Sequence, residues 1–101
     1  METMGAKKEV VQVTEIKMPC RLGLHARTAS RFILFVRQFR SSIRIIKGEF
    51  VADGKSILGL LVLGASWRTK LRFEVQGEDA EHAIQAIESY FLIPENCLDH
   101  Y

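Results

Sequence analysis

The stretch Leu22-Gly23-Leu24-His25-Ala26-Arg27-Thr28-Ala29-Ser30 puts an imidazole where a loop turns into a helix. Ala29, Phe32, Ile33 and Val36 follow at i, i+3, i+4, i+7 spacing, the period of an amphipathic helix. Gly23 and the lack of that period upstream place the helix start at or just after His25. The first turn of a helix leaves about four backbone N–H groups without intrahelical partners. With the helix dipole, those groups attract anions. A neutral imidazole is a nucleophile, and the guanidinium of Arg27 can fork onto phosphate oxygens. The chemistry that fits is phosphoryl transfer through His25 with Arg27 assisting. The plainer reading is a capping or surface histidine, because short motifs specify function loosely. Thr28 is the rival N-cap, with its hydroxyl on a later N–H.

A second stretch, Asp53-Gly54-Lys55-Ser56-Ile57-Leu58-Gly59-Leu60-Leu61, sets a hydroxyl at another helix start. Ser56 reads either as an N-cap or as a phosphorylation site, since phosphate is also stabilised at a helix N-terminus. Ile57, Leu58 and Leu61 exceed what one core stripe needs, so some face solvent or a partner. Arg31 lies one helical turn from Arg27 and suits an acidic partner, with Leu34 at the edge of that docking patch. Arg37, Arg40 and Arg44 read as a solvated face, His82 as a helix-surface residue, and Trp67 as a packing lid. Cys20, His82, Cys97 and His100 lack the two close ligand pairs of a zinc site, so no metal is expected, and no cofactor.

The elements that must position these groups follow from period and punctuation. An N-terminal arm, residues 1–9, precedes a first strand over Thr14 to Cys20, extendable through Val10, Val11 and Val13, with Ile16 and Met18 inward. The helix after His25 runs to Phe39 or Arg40. Strands over Ser42 to Lys47 and Phe50 to Ala52 flank a turn at Gly48-Glu49. A short helix spans Ser56 or Ile57 to Leu63. Lys70 to Gln76 alternates as a strand, and Asp79 caps a last helix whose buried stripe is Ala80, Ala83, Ile84, Ile87 and Phe91. A tail, residues 93–101, completes the chain. The order βαββαβα folds most simply as an α+β two-layer sandwich with a split βαβ arrangement.

Length and composition bound the rest. The 101 residues predict one domain, residues 10–92. A content of 48% hydrophobic and 26% charged residues predicts a globular chain. A net charge of +2 is too mild to argue for nucleic acid or an anionic membrane surface. The apolar run from Ile57 to Ala65 is too short to insert in a membrane. Two cysteines without a tight spacing fit a reducing cytoplasm.

Gly-Leu-His-Ala-Arg (residues 23–27) resembles the active-site signature of HPr, the histidine-containing phosphocarrier family of the bacterial phosphoenolpyruvate-dependent phosphotransferase system. Lys-Ser-Ile-Leu-Gly-Leu-Leu-Val-Leu-Gly (residues 55–64) resembles that family's regulatory serine segment. The two occur at matching separation and in the matching element order. The resemblance implies an open-faced sandwich: an antiparallel four-stranded sheet of order 1-4-2-3 with three helices on one face. It implies that His25 accepts a phosphoryl group on Nδ1 from enzyme I and passes it to a IIA protein or domain. Arg27 would assist, and Ser56 would be the target of an HPr kinase/phosphorylase. Such a protein is a stoichiometric carrier, transferase-like but without turnover of its own. The alternative is a regulatory binding module of a non-sugar or nitrogen-type branch that signals through partner binding. Two departures stand out. The family usually has proline after the active-site arginine, where this chain has Thr28. It usually has glycine before the last strand, where this chain reads Ser66-Trp67-Arg68-Thr69.

Overall fold

The structure, a computed structural model, describes residues 10–97. The N-terminal arm, residues 1–9, and the end of the tail, residues 98–101, lie outside the described residues. Four strands, β1 (Val10–Lys17), β2 (Ser42–Lys47), β3 (Phe50–Asp53) and β4 (Lys70–Gly77), form one antiparallel sheet of order β1-β4-β2-β3. Three helices, α1 (Ala26–Val36), α2 (Ile57–Leu63) and α3 (Ala80–Tyr90), alternate with them, and a 3-10 turn follows at Pro94–Cys97.

The sheet has one buried and one open face because each strand alternates in residue type. Ile43, Ile45, Leu71, Phe73 and Val75 point inward and are fully buried. Glu15, Arg44, Arg72 and Glu74 occupy the open face, where Arg72 and Glu74 pair at 3.0 Å. Register sets the inner residues against one another: Ile43 faces Val75 and Ile45 faces Phe73. The helices cover this inner face through Phe32, Val36, Leu60, Ala83 and Ile87.

Two elements, the first strand and the first helix, differ from the sequence reading by more than one residue. The first strand begins at Val10 and ends at Lys17 rather than Cys20. Beyond Lys17, Met18 still exchanges bonds with Thr69 and Arg68, at 2.8 Å each, but Pro19 has no N–H with which to extend the ladder. The first helix closes at Val36, four residues short of Arg40, because Arg37 is its C-cap and the Phe39 N–H turns back to the Val36 carbonyl. In the tail, the 3-10 turn packs against α1 and is joined to the end of the first strand's segment by a Cys20–Cys97 disulfide. A spacing of 77 residues hid that pairing.

Phe35, which lies beside the core stripe in the sequence, is packed by aromatic contacts. Its ring stacks on Tyr90 at 4.5 Å and meets Phe39 edge-on at 5.7 Å. Phe32 joins the same cluster to Phe73 and Phe91. The cluster anchors α1 to both β4 and α3, so the start of α1 is held by a rigid body.

Candidate functional site

His25 is the N-cap of α1, with extended backbone (φ −113°, ψ −175°), which decides between it and Thr28. The loop leading to it is clamped on two sides. The Gly23 N–H donates to the Cys20 carbonyl at 2.8 Å, and the Leu24 N–H donates to the Ala65 carbonyl at 2.9 Å. Gly23 has φ +72°, and a Cβ there would collide with the Ala65 carbonyl oxygen. Only glycine meets both conditions without strain.

The two ring nitrogens of His25 stand in different surroundings. Nδ1 faces the surface and accepts the backbone N–H of Arg27 at 3.3 Å. Nε2 is buried and has no hydrogen-bond partner among the described residues. An acceptor Nδ1 leaves the proton of the neutral ring on Nε2. The solvent-facing nitrogen is therefore the one with the lone pair, and it points to a helix start that attracts anions. Thr28, at the third helical position, completes a capping box with His25. Arg27, whose backbone N–H meets the ring, has its side chain exposed.

Ser56 is the N-cap of α2, and its Oγ accepts the Gly59 N–H at 3.0 Å. It does not adjoin His25. Leu24 bonds Ala65 just past the end of α2, whereas the Lys55 ammonium, just before α2, donates to the Phe39 carbonyl past the end of α1 at 2.7 Å. The two helices thus run antiparallel, and Ser56 stands at the end away from His25. A helix of this length separates them by on the order of 10 Å.

Between the two sites lies an apolar surface. Leu34 and Leu58 are 68% exposed, and Ile57 and Leu61 about two-fifths exposed, while Leu60 and Leu63 turn into the core. Val62, at 75%, is more exposed than any of these. The sequence reading passed over it, although its place between Leu61 and the buried Leu63 on the helical period marks it as outward. Arg31 is exposed but held, donating to Asn96 Oδ1 at 3.2 Å. It also lies against Tyr90, whose pKa burial pushes up and the Arg31 charge draws partly back. Trp67 carries two guanidinium groups on its ring, Arg68 at 5.0 Å and Arg21 at 5.4 Å. His82 is an exposed residue of α3, edge-on to Phe39.

The family model described as the phosphotransferase system HPr component phosphorylation site matches residues 12–92, spanning both His25 and Ser56. The chain belongs to the HPr family. The HPr of Neisseria meningitidis serogroup A is 37% identical over 67 residues, covering 66% of this chain and 75% of that protein. The phosphocarrier protein NPr of Shewanella violacea is 37% identical over 67 residues, covering 66% and 74%. Among solved structures, HPr from Thermoanaerobacter tengcongensis superposes with a TM-score of 0.78 at 30% identity, covering 89% of this chain and 99% of that one. The HPr-family fold expected from the sequence is the fold observed, and the function is that of a phosphocarrier of the phosphotransferase system. Among the described residues no helix is long and apolar enough to cross a membrane.

Proposed function

We propose that this phosphocarrier accepts a phosphoryl group on His25 Nδ1 from enzyme I in the cytoplasm and delivers it to a IIA protein or domain. The observation that carries the assignment is the asymmetry of the ring: Nδ1 is the exposed, unprotonated nitrogen, its lone pair engaged only by the Arg27 N–H at 3.3 Å, and Nε2 is buried. In the transfer, the Nδ1 lone pair forms the N–P bond as the bond from phosphorus to the donor's leaving group breaks. The leaving group takes that electron pair, and the Nε2 proton stays in place. Once Nδ1 is bonded to phosphorus it no longer accepts the Arg27 N–H, so that donor is released to a phosphoryl oxygen. The exposed Arg27 side chain adds a second, charged donor within reach. The return step reverses these moves, so the protein is consumed and regenerated once per phosphoryl group and has no turnover alone.

Partner docking in this reading uses Arg31, Leu34, Ile57, Leu58 and Leu61, extended by Val62. Ser56 is the regulatory site, where an HPr kinase/phosphorylase is present. Because Ser56 and His25 lie at opposite ends of the helix pair, phosphate on Ser56 acts through the shared docking face and not by touching the imidazole. Its added charge of about −2 repels an acidic partner.

Incubation with enzyme I and labelled phosphoenolpyruvate tests the reading. The expected result is an acid-labile, base-stable label that is lost in His25→Ala. Ser56→Asp should slow labelling several-fold at low salt and less at high salt. Leu58→Ala should raise the apparent KM for enzyme I by about fivefold, the scale of one interface anchor. Label retained in His25→Ala would remove the assignment. Unchanged kinetics in the other two variants would remove the regulatory and docking roles.

A further inference from the structure

Thr28 occupies the position at which the family usually has proline, and its hydroxyl is bonded in a way that a proline ring cannot reproduce. The residue is 2% exposed. Its Oγ1 accepts the backbone N–H of His25 at 3.0 Å. Its single proton goes to the Gly23 carbonyl at 3.1 Å, with the His25 carbonyl a longer alternative at 3.3 Å. One buried hydroxyl therefore bridges the backbone on both sides of Leu24.

The consequence falls on His25. An N-cap residue joins the helical ladder only through its carbonyl, which here accepts the Ala29 N–H at 2.8 Å, so the ladder fixes neither its own N–H nor its ring. Proline at the third position would restrict the helix backbone but offer nothing to the His25 N–H. Here the hydroxyl takes that N–H while the imidazole reaches forward to the Arg27 N–H, a reciprocal pair that sets both the backbone and the ring. We propose that Thr28 is a positioning residue for phosphoryl acceptance: its hydroxyl holds His25 so that Nδ1 faces the helix start and Nε2 the interior. The inference rests on His25 being the acceptor. It adds that, in this chain, a hydrogen-bond bridge aims the acceptor.

The bridge leaves a signature that mere stabilisation would not. While Nδ1 is an acceptor, the neutral ring is held as the Nε2–H tautomer, readable from the ¹⁵N shifts of ring-labelled histidine in the full chain. Thr28→Val keeps the shape and loses the hydroxyl, and Thr28→Ser keeps the hydroxyl. The serine variant should retain the wild-type tautomer and transfer from enzyme I within about twofold, as the hydroxyl geometry is conserved. The valine variant should show mixed tautomers and transfer about tenfold slower, the scale of a misplaced reacting group. If valine prevents folding, Thr28→Ala compared with Thr28→Ser gives the same contrast. A folded valine or alanine variant in which either readout stays at the wild-type value overturns the proposal. His25→Ala run beside them separates the two levels. Label that survives in it refutes His25 as acceptor, whereas the tautomer shift of Thr28→Val is measured without any phosphoryl transfer.

Discussion

Arg68 is the one non-glycine residue among those described that takes a positive φ, at 70°, and it lies in the stretch before the last strand from which the family's usual glycine is absent. A left-handed conformation costs an L-residue roughly 1–2 kcal/mol. The Arg68 guanidinium over Trp67 recovers about 0.5–1 kcal/mol, the range for an exposed cation–π contact. The contact thus offsets part of the strain, which accounts for an arginine in a left-handed conformation here. Substitution separates them. Arg68→Gly removes the strain and loses the stack, so its stability should match wild type or slightly exceed it. Arg68→Ala keeps the strain and loses the stack, and should melt lowest of the three. The Gly–Ala gap should be about 1 kcal/mol, or roughly 4–8 °C for a domain of this size. Equal melting temperatures for the two variants would show that the backbone is not strained there.

At the scale of elements, Asp79 shows how a correct local reading can miss a side chain's partner. It is the N-cap of α3, as its position in the sequence predicts, but its carboxylate makes no bond to its own helix. It accepts instead from the N–H groups of Arg40 and Ser41, at 2.9 Å each, and from the Ser41 hydroxyl. The start of α3 is thereby pinned to the loop that feeds β2. The Ser41 hydroxyl bond is the main cause holding the Asp79 pKa below its ordinary value; burial opposes it, and the backbone N–H groups of Arg40, Ser41 and Asp79 itself add to it. With the folded pKa below the unfolded one, this stabilisation is present above about pH 4 and is lost as pH falls through the folded value. Ser41 is itself 1% exposed, so Asp79→Ala strands buried donors and should cost about 1–3 kcal/mol at neutral pH. Urea melts across the acid range should also show a flatter decline in the variant than in wild type. A variant with the wild-type acid slope would place the sensitivity on another carboxylate.

For the whole molecule, the Cys20–Cys97 disulfide closes a loop spanning nearly the full domain. It ties the 3-10 turn, which α1 contacts through Arg31 and Asn96, to the residue whose carbonyl receives the Gly23 N–H before His25. Both sulfurs are in the core, with Cys20 2% and Cys97 5% exposed. A loop of this length restricts the unfolded chain by up to about 4.5 kcal/mol, with 2–4 kcal/mol typical of measured bridges. Reduction by a dithiol should therefore lower the melting temperature by roughly 10 °C or more. The Cys20→Ser/Cys97→Ser double variant should melt with the reduced protein and ignore the reductant. A cytoplasm keeps such pairs as thiols unless an oxidant intervenes, so in the proposed setting the reduced form is the one to assay first. Wild-type melting that is indifferent to the dithiol would show that the bridge adds no stability.

The helix start at His25, the cap at Ser56 and the alternation of Lys70 to Gln76 were legible in the sequence by itself. Each depends on neighbours within a few positions, and period 2, period 3.6 and glycine report local backbone geometry directly. The two motifs at their separation also carried the family and, with it, the sheet order. What only the tertiary structure decided was which distant groups meet. Periodicity says that a face is buried but not against what. It therefore left Phe35 without its Tyr90 partner, the two cysteines unpaired and Asp79 turned toward its own helix. The antiparallel run of α1 and α2, which sends Ser56 to the far end from His25, follows from where Leu24 and Lys55 find acceptors. Thr28 lies on the boundary between the two. Its identity was visible as a departure from proline, but the bond from its hydroxyl back to Gly23 exists only once the Gly23 turn has folded against Ala65.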